Sequence, residues 1–570
     1  MANVLLDHVA AKVEEALAAL GVQGFDVREV IEIPPGRELG DYAFPCFQLA
    51  RVLRKAPDRI AEELGQRIGP TELIERVEVV KAYVNIFLNR DESSRRVVEA
   101  VLARGDDYGK SDVGNGKTVV LDFSSPNIAK PFHVGHLRST IIGHSLARIF
   151  ESLGFKTVRI NHLGDWGTQF GKLIVAYRRW GDRARLEAEP IRELLDLYVR
   201  FHQEAENDPS LEDEARAAFK ALEDGGVEET RLWQEFRDLS LEEFERTYRR
   251  LGVHFDSYLG ESAYNEAIER TVAELEAKGL LKESEGALVV ELEGMPPCLI
   301  KKKDGATLYA TRDLAAAVHR YETYRFDHMF YVVGAPQQLH FAQVFGVLKR
   351  MGYPWVEACE HIAFGHVRFG DEAFSTRKGN VIFLEELLDQ AVARVRAIIE
   401  ERNPELEEKD RVAEAVGVGA VIFNDLAHNR IKDVVFDWET ALNFEGDTGP
   451  YVQYTHARAA SVLRRGVEEG VAPAGAFSVG RGDLAGEEEF QLAKALAQYP
   501  DAVQRAAEER EPSEIARYLL DLCRDFNSFY HAHRIVGSPN ARARLALVAA
   551  VKQVIKNGLY LLGIEAPEAM

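Results

Sequence analysis

The sequence predicts an α/β protein built on a doubly wound parallel sheet of the Rossmann type, with an α+β unit before it and an all-α bundle after it. From Lys117 onward, apolar β-branched runs alternate with helical patterns, which is typical of a parallel sheet covered by helices. Residues 1–110 mix helical and strand patterns, whereas the chain after Asp389 is almost continuously helical in pattern. With 570 residues the chain is too long for one core.

These patterns divide the chain into three predicted domains. Residues 1–110 form the α+β unit, in which 77–80 and 83–88 read as paired strands. Residues 111–388 form the Rossmann-type domain, which carries a charged helical insertion at about 183–250. Residues 389–570 form the helical bundle.

The central domain begins with the strand pattern 118–123 and a helix whose apolar residues recur with a period near 3.6. Further strands are expected at 157–160, 329–334 and 362–367, with a helix at 338–351 between the last two. The Asp304-Gly305 pair is a hairpin turn signal after a strand-rich stretch.

Composition is ordinary for a globular protein, and the four cysteines are far apart, so we expect reduced thiols. The N-terminus lacks the basic start of a signal peptide, and no membrane span is expected, which makes the cytoplasm the expected location. The net charge of −22 disfavours nucleic acid in bulk. Basic residues nevertheless cluster locally, so the charge balance leaves RNA binding open.

The segment 124–139 carries the most specific signal in the chain. It is a polar loop between a strand and a helix start, where backbone N–H groups and the positive helix end attract anions. His133 and His136 flank Val134 and Gly135, and glycine allows a flat ring to approach the backbone. Taken alone, the histidine pair favours a nucleotide site only modestly over a helix cap.

A second polar loop, containing Ser375, Thr376, Arg377 and Lys378, follows a strand and precedes a helix. Such a loop can close over a triphosphate and neutralise charge in the transition state. Alone it would be read as a surface turn; together with the histidine pair it predicts an ATP site. The predicted ATP-binding residues are Lys130, His133, Gly135, His136, Ser375, Thr376, Arg377 and Lys378.

Segment 124–139 resembles the first signature of class I aminoacyl-tRNA synthetases, and within them of the arginyl-tRNA synthetases. Segments 161–171, 304–313 and 444–454 resemble the same family. The second loop departs from the usual Lys-Met-Ser-Lys-Ser signature, because Phe374 stands where methionine is usual and no lysine precedes it. The departure is similar to the altered form in many arginyl enzymes, in which a lysine of the first signature, here Lys130, compensates.

The resemblance implies an arginine pocket formed by Asn127, Glu261, Tyr309, Asp313 and Gln337. The chemistry agrees, because a guanidinium group requires carboxylates and planar acceptors in a fixed fork. Tyr309 lies one helical turn before Asp313, so the two can share a face. The amides of Asn127 and Gln337 can accept from the α-ammonium group.

The reaction implied is arginine–tRNA ligation: ATP activates L-arginine to arginyl-adenylate, and the arginyl group passes to the 3′ end of tRNA(Arg). We expect His133 and His136 to bind the phosphates in the transition state, assisted by Lys130, Arg377 and Lys378. Mg²⁺ would arrive with ATP, and no protein metal site is predicted. The resemblance also implies that tRNA is needed for activation.

For tRNA, the resemblance assigns Tyr454, Tyr530 and Met570 to the anticodon loop and places Asn85 and Phe87 toward the tRNA elbow. The predicted enzyme is a monomer. Two alternatives remain. One is a nucleotidyltransferase that adenylylates a small molecule, which is usually shorter and lacks a helical tail. The other is a non-catalytic tRNA-binding paralogue, which the presence of the candidate catalytic and arginine residues disfavours.

Overall fold

The computed structural model of the protein describes residues 3–303, 307–369, 383–473, 475 and 477–570. The N-terminal unit is an antiparallel three-stranded sheet in the order β1-β3-β2, and the predicted strand pair is confirmed as β2 and β3. Its elements are α1 (Val4–Ala19), β1 (Tyr42–Pro45), α2 (Leu49–Leu53), α3 (Pro57–Arg67), β2 (Ile74–Val80), β3 (Tyr83–Leu88) and α4 (Arg90–Arg104).

The central domain alternates strands and helices as predicted. Its elements are β4 (Thr118–Asp122), α5 (Val134–Ser152), β5 (Lys156–Ile160), α6 (Thr168–Trp180), α7 (Arg183–Ala188), α8 (Pro190–Asn207), α9 (Ser210–Glu223), α10 (Val227–Leu251), α11 (Asn265–Ala277), β6 (Leu281–Ser284), β7 (Ala287–Val290), β8 (Cys298–Lys301), α12 (Tyr309–Tyr324), β9 (His328–Gly334), α13 (Gln338–Met351) and β10 (Cys359–Phe364).

Four of these strands form a wholly parallel sheet in the order β10-β9-β4-β5. Alternation along β4 explains why both faces are covered: Val119 and Leu121 pack in one hydrophobic cluster with α5, whereas Val120 packs in another with α11, α12 and α13. The doubly wound prediction is therefore confirmed. The functional loops follow the carboxyl ends of β4, β5 and β9, where ligands bind in open α/β sheets.

Four helices, α7 to α10, occupy the stretch in which the charged insertion is predicted, at about 183–250. Strands β6, β7 and β8 form a separate antiparallel meander before α12. The predicted turn at Asp304-Gly305 lies outside the described residues. Short 3₁₀ helices occur at Arg37–Leu39, Gly105–Asp107, Glu261–Tyr264, Ala335–Gln337 and Pro354–Ala358.

The remainder is mainly helical, with one short parallel strand pair that the sequence did not suggest. The elements are β11 (Val367–Phe369), α14 (Leu384–Arg402), α15 (Lys409–Leu426), β12 (Val434–Phe436), α16 (Trp438–Ala441), α17 (Gly449–Glu468), α18 (Glu487–Ala497), α19 (Tyr499–Glu509), α20 (Ser513–Ala532) and α21 (Ala541–Leu562).

Helix α21 is long and apolar enough to cross a membrane by length and composition, although no such segment was expected. Within its most apolar window, 72% is buried inside the protein, which is the environment of a core helix. The four cysteines carry free thiols, as predicted, and three of them are buried.

Candidate active site

The histidine loop (residues 123–136) connects β4 to α5. His133 is the N-cap of α5, and its side chain and that of His136 form a reciprocal capping box with the backbone. A Cβ atom on Gly135 would lie 2.7 Å from the ring of His133, so glycine is required where that ring caps the helix. The two histidines that cap α5 are therefore the same two that are candidates for phosphate binding.

Two hydrogen bonds set the tautomers of the imidazoles. The backbone N–H of Gly135 donates to Nδ1 of His133 at 3.0 Å, and the backbone N–H of His133 donates to Nδ1 of His136 at 3.3 Å. Because a neutral imidazole has one N–H group, each Nε2 holds the proton. The ring centroids are 4.1 Å apart. The loop thus offers two neighbouring Nε2–H donors.

Burial keeps both rings neutral. Burial, with the charge of Lys130, lowers the pKa of His133 to about 4. Burial also holds the pKa of His136 well below its ordinary value, and the positive charges of His133 and Lys130 act in the same direction. At neutral pH the pair acts through hydrogen bonds, and formal positive charge comes from Lys130, which lies 5.7 Å from the ring centroid of Tyr198.

The end of the second loop lies directly beside the histidine loop. His133 forms an antiparallel bridge with Phe383, and the backbone N–H of Leu384 donates to the carbonyl of Phe132 at 2.9 Å. Ser375, Thr376, Arg377 and Lys378 themselves lie outside the described residues. The chain that follows them is nevertheless joined to the histidine loop by the backbone hydrogen bond between Leu384 and Phe132.

Glu261 opens a 3₁₀ turn, the Glu261 turn (residues 260–264), which is anchored by Asp165. The backbone N–H and the hydroxyl of Ser262 each donate to the fully buried carboxylate of Asp165 at 2.8 Å. A Cβ atom on Gly260 would lie 2.5 Å from that carboxylate, so the close approach requires glycine. The backbone N–H of Glu261 donates to the carbonyl of Leu163 at 3.0 Å.

The Glu261 carboxyl lies in an acidic environment. Burial raises its pKa to about 7, against the opposing charge of Arg312, and the charges of Asp313 and Asp165 add to the rise. The charge of Glu261 in turn contributes to the raised pKa of Tyr309, after burial. Glu261, Tyr309 and Asp313 are thus within electrostatic range, which brings together three of the predicted arginine-binding residues.

Tyr309 and Asp313 occupy the first two turns of α12, as their spacing predicted. Tyr309 is 67% exposed and is open to a ligand. Asp313 accepts a 2.6 Å hydrogen bond from Nε2 of His340 on α13. His340 was not predicted, although it follows the Gln337 segment by less than one helical turn, and it holds one oxygen of Asp313 in place.

The two predicted amide residues are exposed at strand ends. Asn127 forms a parallel bridge with Gly164 after β5, and a Cβ atom there would lie 2.1 Å from the Asn127 amide oxygen. Gln337 closes the 3₁₀ turn after β9. Both side chains therefore lie at the carboxyl edge of the parallel sheet.

In the helical domain, Tyr454 and Met570 line a cavity of about 580 Å³. The guanidinium of Arg458 lies 4.9 Å from the ring centroid of Tyr454 and 5.5 Å from that of Tyr530, so it joins the two predicted tyrosines. Arg458 was missed, although it follows Tyr454 by one helical turn. The three predicted residues belong to one location.

In the N-terminal unit, Asn85 and Phe87 lie on the central strand, with 4% and 8% of their surfaces exposed. The guanidinium of Arg76 covers the Phe87 ring at 3.6 Å. Arg76 is therefore the accessible cation at this face, a residue that the sequence analysis did not single out.

Among the described residues, Glu488, Glu489 and His533 place three ligand atoms within 4.8 Å of one another. Arg544 donates to Nδ1 of His533 at 3.1 Å and to Glu489 at 2.9 Å. Since an arginine can only donate, Nε2 of the neutral ring holds its proton, and this geometry disfavours a metal ion.

Three family models match the chain. Residues 97–438 match the catalytic domain described as "tRNA synthetases class I (R)", residues 452–570 match the DALR anticodon binding domain, and residues 7–88 match the arginyl tRNA synthetase N terminal domain.

Curated relatives match over nearly their full length. The arginine–tRNA ligase of Clostridium perfringens is 52% identical over 550 residues, which cover 96% of each chain. That of Alkaliphilus metalliredigens is 50% identical over 98% of this chain and 99% of its own.

Solved structures agree. The arginyl-tRNA synthetase of Thermus thermophilus has a TM-score of 0.82 at 28% identity, and the match covers 100% of both chains. That of Plasmodium falciparum has a TM-score of 0.81 at 23% identity over the same coverage, which is a likeness of fold. The chain belongs to the class I arginyl-tRNA synthetases.

Proposed function

We propose that the protein activates L-arginine with ATP at the carboxyl edge of the parallel sheet and transfers the arginyl group to the 3′ end of tRNA(Arg). The observation that carries this proposal is the bridge between His133 and Phe383, which joins the histidine loop to the end of the cationic second loop. The group of Glu261, Tyr309 and Asp313 supplies an acidic subsite at the same sheet edge.

In the activation step, the arginine carboxylate attacks the α-phosphorus of ATP, and pyrophosphate leaves with the electrons of the broken P–O bond. The attacking carboxylate is already ionised, so no general base is needed, and catalysis consists of alignment and charge stabilisation. The Nε2–H groups of His133 and His136 donate to phosphate oxygens, and Lys130 supplies positive charge. Arg377 and Lys378 complete the cationic side.

The second loop also supplies Ser375 and Thr376 as phosphate donors, and Gly135 keeps the backbone beside the His133 ring accessible to the nucleotide. Mg²⁺ enters with ATP, bound to its phosphates. The donor set of the described site contains imidazoles and an ammonium group beside the phosphates, which suits direct phosphate binding and leaves the ion to the nucleotide.

For arginine, Glu261 and Asp313 pair with the guanidinium group while Tyr309 covers it. Asn127 and Gln337 accept from the α-ammonium group. The hydrogen bond from His340 fixes one oxygen of the Asp313 carboxylate in place. A neutral analogue such as citrulline would leave these half-buried carboxylates without a cationic partner, which makes discrimination strong.

For tRNA, we propose that Tyr454, Tyr530 and Met570 receive anticodon-loop bases, with Arg458 contacting phosphate or stacking on a base. In the N-terminal unit, we propose that the face of β3 carrying Asn85 and Phe87, with Arg76 over the Phe87 ring, meets the tRNA elbow. We further propose a cytoplasmic monomer. The free thiols support a reducing compartment, and sedimentation velocity tests the oligomeric state.

The decisive experiment is ATP–pyrophosphate exchange with arginine, measured with and without tRNA(Arg). We expect exchange that requires arginine and is strongly stimulated by tRNA. Exchange with a different amino acid, or an absence of exchange under both conditions, would contradict the proposal. Adenylylation of a small molecule without tRNA would instead support a nucleotidyltransferase.

A further inference from the structure

We infer that helix α10 of the charged insertion sets the position of the histidine loop relative to the Glu261 turn, so that its inward residues are positioning residues for both substrates. This inference rests on the proposed function. The sequence alone presents the insertion as a solvated, highly charged addition to the sheet. In the structure, α10 extends over 25 residues and contacts both loops from one side.

The contacts come from one face of the helix. Trp233, Arg237, Ser240, Phe244 and Tyr248 are separated by three or four residues, which places them in one row along an α-helix. The first two reach the loop after β5, and the last three reach the histidine loop. A single rigid element therefore connects two loops that follow different strands.

At the C-terminal end of α10, hydroxyl groups hold the histidine loop. The hydroxyl of Tyr248 lies 2.7 Å from Oγ of Ser124 and accepts from the Asn161 amide at 3.0 Å. Oγ of Ser240 accepts from the backbone N–H of Ala129 at 2.9 Å. All the residues joined by these hydrogen bonds are buried.

Those contacts fall on strained backbone. Ser124 and Ala129 have φ angles of 70° and 59°, in the left-handed region that residues other than glycine rarely adopt. Such conformations are energetically costly and persist where the surroundings hold them. Helix α10 provides part of that restraint in the loop that carries His133 and His136.

At the other end, α10 holds the anchor of the Glu261 turn. Nε1 of Trp233 donates to the carbonyl of Asp165 at 2.7 Å, and Nε of Arg237 lies 3.5 Å from the Asp165 carboxylate. That carboxylate receives both hydrogen bonds from Ser262. Because Asp165 is fully buried, Arg237 compensates its charge, and the orientation of the Glu261 turn depends on the pair.

Aromatic packing also holds the C-terminal part of the row against the histidine loop. The rings of Phe244 and Tyr248 lie 5.5 and 5.2 Å from that of Phe132, which itself stacks on His136 at 5.3 Å. The side chain of His136 is therefore supported from behind by α10. Misplacement of either loop by about 1 Å would be expected to cost much of the rate.

Substitutions at the two ends of α10 should change different kinetic parameters. Arg237→Ala is expected to raise the KM for arginine about tenfold, because the buried Asp165 carboxylate loses the cation paired with it, and to leave the KM for ATP within about twofold. Arg237→Lys should restore most of the loss. Tyr248→Phe keeps the ring and should lower kcat about tenfold, with the KM for arginine within about twofold.

The matched control is Arg231→Ala on the outer face of α10, because Arg231 is exposed and pairs only with Glu235 among its described contacts. It should leave all three parameters unchanged. Wild-type exchange with arginine tests the proposed function by itself. If the wild type is active and Arg237→Ala changes both KM values equally or neither, the inference about α10 alone is overturned.

Circular dichroism establishes that each variant is folded. Should Arg237→Ala fail to fold, Trp233→Phe takes its place, since it removes the bond to the Asp165 carbonyl and keeps an aromatic ring. A selective rise in the KM for arginine in that variant supports the inference, and an unchanged KM overturns it.

Discussion

His133 and Phe383 form an antiparallel bridge, in which the backbone N–H of Leu384 donates to the carbonyl of Phe132, the residue before the helix cap. The two signatures are separated by about 240 positions in the chain and are joined at this point. The arrangement explains why each motif is weak alone and why their pairing is informative.

Asp313 should determine arginine affinity. Asp313→Asn is expected to raise the KM for arginine about a hundredfold, since a guanidinium loses a charged partner, while the KM for ATP stays within about twofold. Steady-state aminoacylation measures both. Glu322→Gln, an exposed carboxylate on the same helix, is the control and should change neither. Equal losses in both KM values would show that the pocket lies elsewhere.

Glu261 should make arginine use depend on pH. Its pKa of about 7 means that the free site is half protonated near neutrality, and the carboxylate must be ionised to pair with guanidinium. We expect kcat/KM for arginine to rise with pH by about tenfold per unit below pH 7 and to level off above it. Glu261→Gln should be less active and flat over pH 6–8. A slope that survives this substitution would assign the titration to another group.

His133 should contribute to acid sensitivity. Its pKa of about 4 in the folded protein lies below the ordinary value near 6.5, so the unfolded chain binds more protons between these values. Stability therefore falls as pH drops through that window and is flat below it. His133→Asn retains a capping side chain and should reduce the loss between pH 7 and pH 5 by on the order of 1 kcal/mol.

The thermal midpoint at the two pH values measures this difference. Other depressed imidazoles, including those of His136 and His144, will leave part of the sensitivity in place. The control is His366→Asn, because the side chain of His366 is exposed. Identical behaviour of the two variants would contradict the assignment to His133.

A buried ion pair joins α5 to α15. Nε of Arg138 lies 3.0 Å from the Asp425 carboxylate, and their side chains are 1% and 4% exposed. Asp425→Leu leaves a buried guanidinium without its partner and should destabilise the protein by about 3–5 kcal/mol. The double variant Arg138→Met, Asp425→Leu should be more stable than Asp425→Leu alone. Lys349→Ala, in an exposed pair, should change the thermal midpoint little.

Tyr454 should contribute to tRNA binding and not to the binding of arginine or ATP. Tyr454→Ala is expected to raise the KM for tRNA about tenfold, the size of one lost base-stacking contact, with the KM values for arginine and ATP unchanged. Tyr560→Ala removes another exposed tyrosine and serves as the control. An unchanged KM for tRNA would remove Tyr454 from the interface.

Much of the architecture could be predicted because local patterns carried it. Helix α13 begins and ends where its periodicity indicated, at Gln338 and Met351, and the strand pair β2 and β3 follows directly from alternation. The short strands β11 and β12 could not be predicted, because three-residue strands paired across 67 positions leave no periodic signal.

The residues of the candidate site also fall into a group that could be predicted and a group that could not. Those within motifs, such as His133 and Asp313, could be named from the sequence, whereas their supports could not. Asp165 lies inside a recognised segment, yet its function depends on Ser262 and Arg237, which reach it only in the folded protein. The burial of Asn85, which is 4% exposed, depends on the sheet order that places β3 between β1 and β2, and this order is visible only in the folded protein.

The late position of α21 in the chain has a consequence for biosynthesis. Its backbone carbonyls at Leu561 and Tyr560 accept from Ser145 and Arg148 on α5, and Asn557 donates to the carbonyl of Gly105. The nascent polypeptide therefore emerges from the ribosome with the complementary surfaces of two earlier domains uncovered. Because α21 is translated after both of its partner helices, α4 and α5, it can cover these surfaces only after they have been made.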